Sequence, residues 1–306
     1  MAIAAVASMT CMADDAVQSQ KGDKPTRVTA EAGTQGDPFR SATAPRKECR
    51  IRLKLLPRNN MPLVEAEVEG TKGMFLLDTG ATHTTFDLAF VKKNMPQAKL
   101  TPVAMMAESN VEGAPRYMRV KSMKLGAAEF CDFGAMALDI SHLHASIGTK
   151  VDGILGMSTI GRVPCIVAFG AGEIVFAPGK ESIAGFGRPA RRSLSDPMSV
   201  LVPVKFGERT VEVLVDSGAS CTFLSRDTGW PTTGEAANLP AVDINGKAEL
   251  APLVGKKGVL PVGDGIEVSP LVVSAPINRI GSDVLKEYDM LIAGPYVAFR
   301  PRRQRR

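Results

Sequence analysis

From Cys49 onward apolar and polar residues alternate at a period of two, as in "IRLKLLP" at 51–57 and "LVEAEVEG" at 63–70, the pattern of half-buried strands. Short runs of this kind, separated by Gly, Pro and Asn, continue to about Pro178. They stop across "GKESIAGFGRPARRSLSDP" at 179–197, whose Gly, Pro, Ser and Arg content predicts a linker. The strand pattern resumes with "SVLVPVKFG" at 199–207 and runs to about Pro301. Helical patterning is confined to "DLAFVKKN" at 87–94 and "GSDVLKEYD" at 281–289. Residues 14–48 show no sustained period and are expected to be a disordered leader or a propeptide. The pattern predicts a mostly-β chain in two pieces, 49–178 and 198–301, ending in a basic tail at 302–306.

The two pieces repeat each other. "GMFLLDTGATHTTFD" at 73–87 and "VEVLVDSGASCTFLS" at 211–225 each lead an apolar run into Asp-(Thr/Ser)-Gly-Ala. Two variable residues and a Thr follow in both, with a hydrophobic residue within the next two positions. Downstream, "GILGMSTIGRVPCIVAF" at 153–169 parallels "NRIGSDVLKEYDMLIAG" at 278–294, and "EIVFAP" at 173–178 parallels "YVAFRP" at 296–301. A single Asp-Thr-Gly at a strand end is an ordinary turn. Two in matched context, with the same later elements in the same order, are an internal duplication.

On these residues the chain resembles the aspartic proteases, and within them the retropepsin-like branch. That family carries two hydrophobic residues before Asp-(Thr/Ser)-Gly-Ala and, further on, a hydrophobic-hydrophobic-Gly turn. The first copy here is Asp78-Thr79-Gly80-Ala81 with Ile154-Leu155-Gly156. The second is Asp216-Ser217-Gly218-Ala219 with Arg279-Ile280-Gly281, where Arg279 stands in a place the family keeps apolar. The resemblance implies two homologous β-barrel lobes related by a pseudo-twofold axis, with the active-site cleft between them, fused in one chain so that a monomer suffices. It implies Asp78 and Asp216 as the catalytic pair, Thr79 and Ser217 bonding across the lobe interface, and the 154–156 and 280–281 strands packing behind the acid loops. Gly80 and Gly218 would allow the turn that presents each acid and leave room for water and substrate.

The chemistry follows from the pairing. Two carboxylates in hydrogen-bond reach share one proton over a wide pH range. The charged member takes a proton from a water between them, and the protonated member polarises the peptide carbonyl. No covalent adduct is needed, and no Ser/His/Asp or Cys/His set is evident. Ala81 and Ala219 stand where pepsin-type relatives carry a hydroxyl that supports the ionised pair, so the optimum is expected at weakly acidic to near-neutral pH. Closing hairpins are expected in "VAMMAESNVEGAPRYMRVKSM" at 103–123, with Glu112-Gly113 at the tip and Tyr117 as a loose flap candidate, and about Asn245-Gly246 in the second piece.

Composition narrows the rest. At 44% hydrophobic and 23% charged, the chain can bury a substantial core. Its net charge of +5 and the "FRPRRQRR" end favour anionic partners, but no nucleic-acid motif accompanies them, so no nucleic-acid partner is expected. A polypeptide substrate is expected, with anionic glycoproteins such as mucins as one electrostatic fit. "MAIAAVASMTCMADDA" reads as a signal-peptide remnant over 1–13, predicting a secreted or periplasmic protein without stable membrane insertion. Cys49, Cys131, Cys165 and Cys221 allow two bridges or buried free thiols equally. Neither those cysteines nor His83, His142 and His144 form a metal-type spacing, and no metal or organic cofactor is expected. Asp152 reads as a turn carboxylate and Cys221 as a packing residue. The competing function is a catalytically inactive peptide- or glycoprotein-binding module. Arg279 motivates it, since a buried arginine must turn outward or find an acid.

Overall fold

The computed structural model describes residues 47–102, 115–193, 198–237, 241–243, 246–248 and 252–302. The signal-like stretch, nearly all of the leader, and the Glu112-Gly113 and Asn245 flap candidates lie outside the described residues.

In the first half the hairpin Pro62–Val68/Thr71–Leu77 carries the chain to the first acid. The parallel partner of Thr71–Leu77 is Gly153–Leu155, registered Leu76↔Ile154 and Leu77↔Leu155. Gly153–Leu155 borders Thr85–Asp87, which runs parallel to the end of Ala128–Leu138. The long hairpin Arg116–Leu125/Ala128–Leu138 then curves back until Val68 faces Met123, closing a six-stranded barrel. Its interior holds Phe75, Phe86 and Phe90; the first two meet edge-to-face at 5.5 Å. The helix Leu88–Asn94 packs Phe90 and Val91 inward and leaves Lys92 and Lys93 at its C-terminal end, where cations suit the helix dipole.

The second half repeats that strand order. Leu201–Phe206, Arg209–Val215, Arg279–Ile280, Phe223–Ser225, Leu271–Val273 and Leu253–Gly255 follow one another across the sheet, ending at Thr232–Ala236. The parallel pairs recur as well, Val215↔Ile280 answering Leu77↔Leu155. Among the described residues this sheet stays open, whereas a second closed barrel was expected. The hairpin arms are interrupted. Leu253–Gly255 and Leu271–Val273 continue past a break as Gly258–Leu260 and Ile266–Val268, which pair with each other in a separate two-stranded sheet. The counterparts Arg116–Leu125 and Ala128–Leu138 run unbroken for ten and eleven residues.

The closing strands of the two halves do not end in separate lobes. They form one antiparallel six-stranded sheet in the order Cys49–Arg52, Glu173–Phe176, Cys165–Ala168, Tyr288–Ala293, Tyr296–Pro301 and Ala190–Arg191. Cys165–Ala168 of one half and Tyr288–Ala293 of the other pair at its centre, Val167 opposite Met290. Each half thus buries the strand edge it would otherwise leave exposed. The 179–197 stretch supplies a short helix, Lys180–Ile183, and the edge strand Ala190–Arg191 of this sheet. Arg192 fixes its end by donating to the Ser199 and Gly294 carbonyls at 2.6 and 2.9 Å.

Candidate active site

Both acids sit where an apolar strand runs out. The backbone N–H of Asp78 donates to Leu155 O at 3.0 Å, and that of Asp216 donates to Ile280 O at 2.9 Å. Each loop then turns back over its own carboxylate. Gly80 and Ala81 N–H donate to Asp78 Oδ1 at 2.8 and 3.1 Å, and Gly218 N–H donates to Asp216 Oδ1 at 3.0 Å. The glycines are required by close approach. A Cβ on Gly80 would overlap the Asp216 carboxylate, and one on Gly218 would overlap the Asp78 carboxylate. This reciprocal contact places the two acids side by side across the junction of the halves.

The hydroxyl after each acid locks that junction. Thr79 N–H donates to Ser217 Oγ at 3.0 Å, and Ser217 N–H donates to Thr79 Oγ1 at 3.1 Å. The hydroxyls pass their own protons on, Thr79 Oγ1 to Val215 O and Ser217 Oγ to Leu77 O, both at 2.7 Å. All four bonds are buried and all four cross between the halves. Ser217→Ala leaves the Thr79 N–H and the Leu77 carbonyl without these partners. It is expected to cost about 1–3 kcal/mol of unfolding free energy, read from the denaturant midpoint; an unchanged midpoint would show that the grip carries no stability.

Behind the acids the glycine turns lie flush against the loops. A Cβ on Gly156 would strike the His83 and Ala81 carbonyls, and one on Gly281 would strike the backbone of Cys221. Met157 N–H donates to Ala81 O at 2.8 Å and Ser282 N–H to Ala219 O at 2.7 Å. Thr84 and Thr222, to which the sequence assigned no role, finish each loop. Their hydroxyls accept from Gly156 N–H at 3.1 Å and Gly281 N–H at 3.0 Å. Thr84 is tied in turn to Thr159, and Thr222 donates to Asp283 at 2.7 Å. The signal was available, since a Thr stands six residues after the acid in both copies.

The site is symmetric in its frame and asymmetric in its charge. Asp78 and Asp216 are both buried. Burial, then the charge of Asp216, then a proton shared with Asp216 hold Asp78 well above the usual carboxylate range. Asp78 Oδ2 is buried with no hydrogen-bond partner among the described residues. Burial also raises Asp216, but the nearby Arg279 guanidinium opposes it, followed by the hydrogen bond from Asp78 and the loop N–H groups. Arg279 Nη1 lies 3.3 Å from Asp216 Oδ2, with the arginine side chain almost fully buried. Of the two outcomes open to Arg279, it has found an acid, and that acid is one of the pair. Arg279 therefore favours the charge on Asp216, and Asp78, without such a cation, is the member more readily protonated.

The remaining sequence candidates separate. Ile154, Leu155, Gly156, Ile280 and Gly281 stand behind the acid loops. Tyr117 lies half-buried on Arg116–Leu125 opposite Met136 and interacts with Arg119 on its own strand. Gly246 pairs with Asp243 in a two-stranded hairpin. Asp152 Oδ2 accepts from Met74 N–H at 2.9 Å, a structural bond. The four cysteines stand unbridged; burial raises the Cys221 thiol and pushes Cys165 up to about 12. His144 Nε2 meets Val151 O at 3.1 Å. Among the described residues no cluster of three or more His, Cys, Asp or Glu could hold a metal ion, and no helix is long and apolar enough to cross a membrane.

The mostly-β architecture with its closed six-stranded barrel is consistent with a barrel-lobed aspartyl protease fold. Residues 64–159 match a family model described as aspartyl protease. That segment runs from the hairpin leading to Asp78 as far as Thr159 behind it, so this part of the chain is similar to a peptidase family. No curated protein matches the chain.

Proposed function

We propose that the chain is an aspartic endopeptidase in which one polypeptide supplies both carboxylates of the catalytic pair. The reading rests above all on the reciprocal approach of Gly80 to Asp216 and Gly218 to Asp78, which brings the two buried acids into hydrogen-bond reach. Evolution of a stable fold alone gives no reason to bury two carboxylates together, because the second charge is costly there.

In the proposed reaction Asp216, ionised, takes a proton from a water seated between the acids as its oxygen bonds to the substrate carbonyl carbon. Asp78 gives its proton to the carbonyl oxygen, forming a tetrahedral diol. The C–N bond then breaks, the leaving amine takes the proton held by Asp216, and Asp78 recovers one from the diol. The Gly80, Ala81 and Gly218 N–H groups keep both carboxylates oriented throughout. The net charge of +5 fits anionic glycoproteins among the substrates, and the enzyme is proposed to be secreted or periplasmic and to work as a monomer on extracellular or envelope proteins.

Activity requires Asp216 ionised and Asp78 protonated, so it rises on the acid side as Asp216 loses its proton and falls on the alkaline side as Asp78 loses its own. Both are raised by burial, which moves the window up from the ordinary carboxylate range. Replacing Ala81 and Ala219 by Ser adds donors to the charged form and should move the acid limb down by about 0.5–1 pH unit, the equivalent of one hydrogen bond. An unmoved limb would show that the alanines do not set the optimum.

The Arg279–Asp216 pair is the one observation that favours a binding module, because a cation on the base competes with water for it. Hydrolysis of an unfolded protein substrate from pH 3 to 8, with and without a statine-type transition-state mimic, decides between the two. Mimic-sensitive cleavage with a bell-shaped profile is the result expected of the endopeptidase. Inertness at every pH would leave the binding module.

A further inference from the structure

The two acid loops share the glycine N–H bond to each carboxylate, the crossed hydroxyl bonds and the Thr-to-glycine-turn bond, but the side chains beside the two acids differ. The registers Leu76↔Ile154 and Leu214↔Arg279 make Ile154 and Arg279 equivalent. Ile154 is packed among Leu76, Ala81, Met61, Ile140 and Val151 and brings no charge to Asp78. Arg279 lays a cation on Asp216. It approaches Oδ2, whereas Oδ1 is held by the Gly218 N–H. Oδ2 is therefore the oxygen left to take the proton of the attacking water, and in the resting enzyme the guanidinium covers it.

We propose that Arg279 is the specificity-determining residue of this site, recognising an Asp or Glu side chain next to the scissile bond, which takes the guanidinium over from Asp216 and frees the base. The inference rests on the endopeptidase reading above.

Three arguments carry it. A buried guanidinium gives up a carboxylate only for another anion, since an unpaired charge costs several kcal/mol there. An apolar or amide side chain offers no such exchange, while a carboxylate keeps the number of ion pairs constant. The contact being exchanged is long, 3.3 Å against the roughly 2.7–2.9 Å of a strong charge-assisted bond, so the resting pair is not optimal. Reach is also satisfied. Successive Cα atoms lie about 3.8 Å apart, so a peptide whose carbonyl sits over the acids carries its flanking side chains to within one side-chain length of Asp216. Arg279 neither gives nor takes a proton, and the proton transfers stay those of Asp78 and Asp216. Because the exchange uncovers the base, the preference should appear mainly in kcat.

The test uses peptides identical except for Glu or Gln on either side of one bond, offered to wild type and to Arg279→Leu. Wild type should cleave a Glu peptide about tenfold or more faster than its Gln twin, the worth of one differential pair. Arg279→Leu should lose that preference while still cutting the Gln peptide, and Arg279→Lys should keep part of it, which separates recognition from misfolding. Equal cleavage by wild type, or a Glu preference that survives in Arg279→Leu, overturns the proposal. If neither form hydrolyses any peptide, the endopeptidase reading has failed on its own account. Binding of the same peptides to Asp78→Asn, with and without Arg279→Leu, then decides the recognition: Glu-selective binding that needs Arg279 upholds it, and equal binding overturns it.

Discussion

Asp78→Asn and Asp216→Asn each lower kcat/KM for peptide hydrolysis by about 10³-fold or more, and the double variant is scarcely worse than either single one. The size of the effect follows from the division of labour. In the proposed reaction Asp216 accepts the water proton and Asp78 supplies the proton for the carbonyl oxygen. An amide at either position supplies neither function. The effects do not add, because the pair works as a unit and losing one member already stops it. The variants should fold, since the asparagine carbonyl can still accept the Gly80 or Gly218 N–H. Steady-state kinetics on a single fluorogenic peptide, with circular dichroism to confirm the fold, measures this. Loss in one variant and not the other would mean that a single acid carries the reaction.

Gly218→Ala is the second large effect, a loss of about 10²-fold or more in kcat with the fold retained. The new Cβ would sit inside the present position of the Asp78 carboxylate, so that acid must retreat from Asp216. A displacement of about 1 Å at the reacting groups costs on the order of 10²-fold. Gly80→Ala should act in the same way through Asp216. Gly207→Ala makes a suitable contrast: nothing lies near its Cβ and it stands in a surface turn, so it should cost only backbone strain and leave kcat unchanged. Comparable kcat losses in Gly207→Ala and Gly218→Ala would contradict the geometric explanation.

The parts of this molecule that sequence exposed are those where one residue type does one local job twice. Asp78 and Asp216, the hydroxyls of Thr79 and Ser217, and the glycines at 80, 218, 156 and 281 repeat in order, and the structure uses each in the same way in both halves. The helix Leu88–Asn94 fell where the pattern placed it, whereas of 281–289 only Ser282–Leu285 is helical and from Tyr288 the chain is a strand. Long-range pairing stayed hidden. Nothing local in "EIVFAP" or "YVAFRP" says that these strands share a sheet whose centre joins the two halves, because that depends on Cys165–Ala168 meeting Tyr288–Ala293. The edge strand Ala190–Arg191 was concealed by a loop-like composition, its pairing being set by Tyr296 and Val297, remote in the chain. Arg279 was visible as an oddity, but the parallel register that puts it beside Asp216 could not be read from the residues alone.

That a single chain holds a complete pair is tested most directly by titrating the active enzyme with a tight-binding statine-type mimic and counting equivalents. Activity should fall linearly to zero at one mimic per chain, and a mixture of Asp78→Asn with Asp216→Asn should stay inactive, since neither chain then carries both acids. An end point at one mimic per two chains, or activity restored on mixing, would mean that the site is assembled between chains and would contradict a pair completed within one polypeptide.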